Sequence, residues 1–177
     1  MNMRKIPVIL DADTGIDDTM ALLICATSSK LDVLAAVSTF GNTTIDYATQ
    51  NTMDVLALCG RQDIAVGMGA DRPWKKKLRT SPYIHGVNGI GEYQMPEHHR
   101  EALSPLPAWD LAYEKIMACP EKVTYVALGS LTNVANLFCK HPDVKPRLDK
   151  VVYMGCELRG NVAGSQCASV NIFHDPD

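Results

Sequence analysis

"IPVILDADTGIDDTMALLICATSS", residues 6–29, decides how this chain folds. Its opening, residues 6–12, is a short apolar run with β-branched side chains, which reads as a buried strand. Its close, residues 17–29, reads as a helix that is apolar nearly all round and therefore buried, with Thr14 and Asp17 as an N-cap pair. Between the two, Asp11, Asp13, Asp17 and Asp18 fall within eight positions. Carboxylates this close hold protons against one another unless positive charge sits among them.

The same beat continues along the chain. Residues 31–39 read as a second strand, and residues 43–60 as a second helix with Ile45, Ala48, Thr52, Val55, Leu56 and Cys59 on one face and Gly60 as its stop. A short strand over 64–69 follows. After a break come a helix over 108–119, a strand over 122–130, a helix over 131–141 and a strand over 150–156. Residues 157–170 read as irregular and "NIFH" (171–174) as a short extended piece. Strands that are continuous apolar runs, alternating with helices, imply an α/β fold: a mostly parallel open sheet, Rossmann-like, with helices on both faces. Residues 1–177 read as a single α/β domain. Residues 70–106, rich in proline and glycine and without periodicity, read as an active-site loop. Ligands of such sheets bind beyond the carboxyl ends of the strands, and Asp11, Asp13, Asn42, Ser130 and Cys156 all lie at or just past such ends.

Composition narrows the class. The chain has 177 residues, 46% hydrophobic and 21% charged, enough for one globular domain with a full core. A net charge of -3 leaves no basic stripe for a nucleic acid, and Lys75-Lys76-Lys77 reads as a solvated loop face. The apolar stretch of the opening "MNMRKIPVIL" is too short for a signal peptide, and the run Ala21 to Ala26 is far below membrane-spanning length. Cys25, Cys59, Cys119, Cys139, Cys156 and Cys167 form no C-x-x-C pair and read as reduced, buried thiols of a cytoplasmic protein. Trp74 and Trp109 read as packing residues, and His98, His99 and His141 as solvated.

Helix-dipole and turn preferences account for two of the four clustered carboxylates but not for all of them. An all-oxygen cluster suits a hard cation, and several carboxylates with a backbone carbonyl suit calcium best. Two families use such a cluster. Asp11, Asp13 and Thr14 resemble the D-x-D-x-T motif of the haloacid-dehalogenase-like magnesium phosphatases, with Ser38 or Thr39 ending the second strand. That family's later acidic pair has no convincing counterpart here, and the adjacent Asp17-Asp18 has no place in its motif. The chain resembles the nucleoside hydrolases along its whole length. "DADTGIDD" is similar to their D-x-D-x-x-x-D-D signature. "STFGN" (38–42), "HGVNGIG" (85–91), "VALGSLTN" (126–133), "VVYMGC" (151–156) and "GNV…NIFHDPD" (160–177) resemble further family segments in the same order.

The resemblance implies hydrolysis of the N-glycosidic bond of ribonucleosides to ribose and free base, as in purine and pyrimidine salvage, with calcium as the cofactor. It assigns the metal to the carboxylates of Asp13 and Asp18 and the carbonyl of Leu128. It makes Asp17 the general base and puts His85 near the leaving base. Asn42, Asn161 and Asn171 bind sugar hydroxyls, and Asp11 completes the substrate-binding set from behind as an orienting hydrogen-bond partner. The partner is a ribonucleoside, with no nucleic acid and no membrane, and the full-length family member is a homo-oligomer.

Three departures from the family pattern bear on this reading. Asn161 and Asn171 are two residues further apart than in the family, and Ser169 stands where the family has a glutamate that contacts the 5′ end of the sugar. Cys156 replaces the second glycine of M-G-G. The chain ends at "HDPD", where the family continues with another calcium-ligating aspartate and often a histidine that protonates the leaving base. Reduced or no activity is therefore expected of the 177 residues alone. The alternatives are the D-x-D-x-T phosphatase and a non-catalytic remnant.

Overall fold

A computed structural model describes residues 4–155 and 169–177. The five described strands are β1 (Ile6–Ala12), β2 (Leu31–Ser38), β3 (Val66–Met68), β4 (Val123–Ala127) and β5 (Leu148–Tyr153). They form one parallel sheet in the order β3-β2-β1-β4-β5. The helices are α1 (Ile16–Thr27), α2 (Ile45–Leu58), α3 (Pro82–His85), α4 (Ala108–Ala118), α5 (Thr132–Lys140) and α6 (Val170–His174), with a 3-10 turn over Pro142–Arg147.

Alternating residues of the central strands feed two cores. Val8, Leu10, Val33 and Ala36 pack with Leu22 and Ala26 of α1 and Met53, Val55 and Leu56 of α2. Ile9, Ala35, Val37 and Tyr125 pack on the other face with Leu111 and Ile116 of α4 and Val134 and Leu137 of α5. Both faces of β1 and β2 are thereby covered, which is why these strands read as unbroken apolar runs. The chain leaves β1 towards β2 on one side and returns to β4 on the other. The loops leaving β1 and β4 diverge at that reversal, and a crevice opens between their carboxyl ends.

Several local expectations are corrected. "NIFH" is not extended but helical: Phe173 N–H donates to the Ser169 carbonyl at 2.8 Å and closes a turn, and a run so short carries no usable period. The N-cap of α1 is Gly15, not the Thr14–Asp17 pair. Its N–H donates to the Asp18 carboxylate at 2.9 Å, while the Thr14 hydroxyl pairs with that of Thr52 at 2.7 Å. Nor is α1 buried all round, since Ile16, Met20 and Ile24 face outward, Ile24 being 63% exposed. Residues 70–106 hold α3 and fold back onto β3, where Ser104 N–H donates to the Val66 carbonyl at 2.8 Å. Of the described cysteines, Cys25, Cys59 and Cys119 are half-buried and Cys139 is exposed, all unpaired, against the expectation of burial. Cys156 and Cys167 lie outside the described residues. Trp109 packs against the core, but Trp74 is half exposed and donates to Asn136 at 3.1 Å. His141 is no solvated histidine: it stacks on Tyr113 and bonds Asp110 at 2.7 Å. No helix among the described residues is long and apolar enough to cross a membrane.

Candidate active site

The crevice between β1 and β4 holds a pocket of about 130 Å³. Asp13 reaches it from the turn after β1, and Asp17 and Asp18 from the first turn of α1. Asn42 comes from the loop after β2, His85 from the end of α3, Leu128 from the end of β4 and Asn171 from α6. A strand-to-helix turn is what lets residues five apart meet: the chain reverses between Asp13 and Asp18, and both side chains point back over the sheet end. Ser81, Ile84, Met154 and Val170 complete the wall. Of these, only Met154 lies in a quoted segment, "VVYMGC".

Two glycines make the convergence possible. A Cβ on Gly15 would lie 2.5 Å from Asn42 Nδ2 and 2.7 Å from His85 Nδ1. One on Gly41 would lie 2.0 Å from Asp13 Oδ2. With both absent, the Asn42 backbone N–H donates to Asp13 Oδ2 at 2.7 Å and its side-chain amide to Asp18 Oδ2 at 2.8 Å. Asn42 thus bridges the two buried carboxylates, more than a turn residue does.

The carboxylates differ sharply in environment. Burial, and then the charge of Asp18, push the Asp13 carboxyl well above the usual range. Burial also raises Asp18, against the lowering effect of the Gly15 N–H, and the charge of Asp17 adds to the rise. The Asp17 side chain is 67% exposed at the pocket mouth, with His85 Nδ1 3.8 Å away. That imidazole nitrogen accepts from Ile16 N–H at 3.2 Å, which makes Nε2 the protonated nitrogen of the neutral ring.

Asp11 does not line the pocket. It is fully buried behind it, where Tyr125 OH and Asn133 Nδ2 donate to its two oxygens at 2.8 and 2.9 Å. Burial pushes its pKa up to about 7. Its own carbonyl accepts from Leu128 N–H at 2.7 Å, which fixes the turn that aims the Leu128 carbonyl. Asp11 therefore stands behind the pocket and orients its wall instead of lining it. Asn161 lies outside the described residues. Tyr125 and Asn133 went unremarked in the sequence. Tyr125 hides in an apolar strand, whereas the place of Asn133 at the end of the quoted "VALGSLTN" is the signal the sequence offers for this fully buried residue.

The donor set is all oxygen: two buried carboxylates, the Leu128 carbonyl and amide oxygens. Such a set fits a hard cation, and a cation reverses the mutual repulsion that raises Asp13 and Asp18. The Asn171 amide donates to both the Leu128 and the Met154 carbonyls, at 2.5 and 2.8 Å, so neutral N–H donors already satisfy these oxygens. Among the described residues no three acidic, imidazole or thiolate ligands meet at one point. Two carboxylates and a carbonyl fall short of the six to eight oxygens calcium takes.

Comparison with known proteins gives one answer. The family model described as inosine-uridine preferring nucleoside hydrolase matches residues 8–177. The chain is 34% identical over 174 residues to the non-specific ribonucleoside hydrolase RihC of Escherichia coli O1:K1, covering 98% of this chain and 56% of that protein. It is 33% identical over 174 residues to RihC of Shigella dysenteriae serotype 1, with the same coverage. Among solved structures it is similar to a purine-preferring ribonucleoside hydrolase from Gardnerella vaginalis, with a TM-score of 0.89 at 29% identity, covering 97% of this chain and 55% of that one. A plant nucleoside hydrolase, PpNRh1, gives a TM-score of 0.88 at 32% identity over 97% of this chain and 54% of that one. The chain thus spans little more than half the length of the relatives it matches.

Proposed function

We propose that this chain, which belongs to the inosine-uridine preferring nucleoside hydrolase family, provides the sugar-binding and water-activating side of a calcium-assisted ribonucleoside hydrolase. The observation that supports this best is the convergence of Asp13, Asp17, Asp18, Asn42 and the Leu128 carbonyl on one pocket at the β1/β4 crevice. The similarity to proteins named ribonucleoside hydrolases supports the same reading. A phosphatase would use Asp11 as its nucleophile. Here that residue is fully buried, with Tyr125 and Asn133 holding its oxygens, so the geometry disfavours that alternative.

The overall reaction adds water to C1′ of the ribose and breaks the C1′–N bond. The bonding pair leaves on the base, which takes up a proton. Asp13, Asp18 and the Leu128 carbonyl would hold calcium, which would supply positive charge for sugar hydroxyl oxygens and lower the pKa of a water beside it. Asn42, already tied to both carboxylates, offers its amide to the sugar hydroxyls. Asn171, whose two amide N–H groups hold the Leu128 and Met154 carbonyls, offers its side-chain oxygen to a hydroxyl donor, and Asn161 joins them by the family resemblance. Asp17, at the pocket mouth, takes the proton of the attacking water as it adds to C1′. His85 turns its Nε2–H towards the departing base and stabilises the charge that develops there. Residues 70–106 bring His85 and Ser81 to the site and act as its loop. Asp11 acts through the Leu128 turn without touching the substrate. Placement in salvage, in the cytoplasm and in a homo-oligomer belongs to the same proposal.

Ribose release from inosine and uridine by the full chain, with calcium titrated in parallel, tests these roles. Asp17→Asn is expected to lower turnover by roughly 10²–10⁴ while leaving calcium affinity unchanged, whereas Asp13→Asn is expected to weaken calcium binding itself. Near-full turnover of Asp17→Asn at saturating calcium overturns the base assignment. Robust turnover by a 177-residue monomer overturns the expectation, drawn from its ligand count, that these residues alone bind calcium weakly and turn over little.

A further inference from the structure

A second pocket, of about 300 Å³, lies beside the first and carries the opposite charge. Lys76, Lys77 and Arg79, from the loop before α3, surround the end of α6 with Phe173 and His174. Lys76 is anchored: its ammonium donates to the Phe173 carbonyl at 3.1 Å and sits 4.5 Å from the centroid of that ring. Among the described residues, neither Lys77 nor Arg79 has a carboxylate partner. The run that reads as a solvated loop face in the sequence is thus gathered around a cavity.

His174 is the observation that makes this more than a basic patch. It lines the cavity yet is only 7% exposed, and its Nδ1 is buried without a hydrogen-bond partner. A buried lone pair goes unsatisfied more often than a buried N–H does, so the ring of a neutral His174 carries its proton on Nε2. Burial, and then the charge of Lys76, keep the ring neutral. The pocket therefore offers an imidazole N–H, a guanidinium and two ammonium groups, and no acidic residue among the described ones lines it. Fixed and mobile donors of this kind match a phosphate group.

A third cavity shares walls with both pockets: Arg79, Phe173 and His174 with the cationic pocket, and Ser81 and Val170 with the β1/β4 site. A ribose held there by its 2′ and 3′ hydroxyls, with C1′ bonded to the base, has only its 5′ oxygen free to carry a substituent. We propose that Lys76, Lys77, Arg79 and His174 form an anion subsite for a phosphate on that 5′ oxygen, which makes ribonucleoside 5′-monophosphates a substrate class of this site. The inference rests on the sugar-binding reading above. The reaction stays the same: water adds to C1′, the C1′–N bond breaks with its pair on the base, and the phosphate ester is untouched. The products are ribose 5-phosphate and the free base.

Calorimetric titration of the full chain with inorganic phosphate, ribose and ribose 5-phosphate separates the cases. In chelator, inorganic phosphate is expected to bind the parent chain and Asp13→Asn alike, and to bind Lys77→Ser/Arg79→Ser about tenfold or more weakly, since charged hydrogen bonds are lost. Both substituted side chains are exposed, so folding should be unaffected, and circular dichroism verifies it. With calcium present, ribose 5-phosphate is expected to bind more tightly than either ribose or phosphate alone. Phosphate binding that is absent, or indifferent to the double substitution, overturns the subsite. Ribose 5-phosphate binding no better than phosphate shows a site for the free ion and overturns the substrate class. If ribose fails to bind with calcium while phosphate binding depends on Lys77 and Arg79, the sugar-binding reading has failed and the anion subsite stands without it.

Discussion

The two sides of the sheet are unequal. β1 and β2 are covered on both faces from Val8 and Ala35 onward, whereas β5 leaves Val152 and Tyr153 almost half exposed and pairs, among the described residues, only with β4. The candidate site straddles this divide. Its carboxylates stand on the closed side, held by backbone N–H groups and Asn42, while the Leu128 carbonyl and Asn171 belong to the open side. Charge that is costly to bury is thus placed where hydrogen-bond donors from the closed side hold it. The Leu128 carbonyl and the Asn171 amide that face these carboxylates stand beside β5, the strand left most exposed.

The largest test of this contrast is the effect of pH on the closed side. The folded pKa of Asp11, about 7, lies above its unfolded value near 3.8, and Asp13 and Asp18 are raised in the same direction. At low pH each is protonated in both states and costs nothing. As pH rises from about 4 to about 7, the unfolded chain ionises first, so stability falls, by roughly 4 kcal/mol for Asp11 alone. A divalent cation on Asp13 and Asp18 favours their ionised forms and offsets part of that loss. Urea denaturation in chelator and in excess calcium, at pH 4.5 and 7.5, measures it. Calcium is expected to stabilise the chain at pH 7.5 far more than at pH 4.5. Equal stabilisation at both pH values would sink the account of the carboxylate cluster.

Next in size is the stitch that joins the two sides. Asn133, at the start of α5, donates to Asp11 Oδ1 and to the Ser38 carbonyl, both at 2.9 Å, and accepts from Ala70 N–H at 2.9 Å. One side chain on the β4 side therefore ties down the ends of β1 and β2 and the loop after β3. Asn133→Ala leaves buried groups without partners, at about 1–3 kcal/mol for each that water cannot reach. The urea midpoint is expected to fall accordingly, and the Leu128 turn to loosen with it. A change below about 0.5 kcal/mol, the level of ordinary surface substitutions, would mean that the two sides are not coupled through this residue.

How much the sequence revealed follows the same division. β1, β2 and β4 are legible because burial on both faces leaves continuous apolar runs, and the acidic turn is legible because four carboxylates demand a reason. α6 was read as extended because an apolar run of its length fits either period. The outer face of α1 was read as buried because composition does not tell which apolar residues find a neighbour. Tyr125 and Asn133 act on Asp11 across 114 and 122 residues of chain, and no local pattern encodes such a pairing. The basic run at 75–77 reads as a solvated face because its surroundings depend on α6, 97 residues away from Lys76 to Phe173. Only the folded chain brings His174 beside it.

The smallest effect on stability belongs to the open side. Val152 is 46% exposed on β5, and Met154 just beyond it is 51% exposed. β5 starts with the exposed Asp149–Lys150 pair but ends on an apolar stretch at the edge of the sheet formed by the described residues, and such a stretch is a template for pairing with another chain. Val152→Lys replaces a side chain that is already about half exposed, so its effect on the urea midpoint should stay near that of a surface substitution, about 0.5 kcal/mol. It does place a charge on the edge, and like charges meet when two copies approach through it. The 177-residue chain is therefore expected to elute as concentration-dependent oligomers in sizing chromatography, and Val152→Lys to shift it towards monomer. Met20→Lys, on the equally exposed outer face of α1, is the control: it lowers surface apolarity by a comparable amount without touching a strand edge. If both substitutions reduce association alike, general surface apolarity drives it. If neither does, β5 is not the associating surface, and the open side is closed by contacts other than pairing along the sheet.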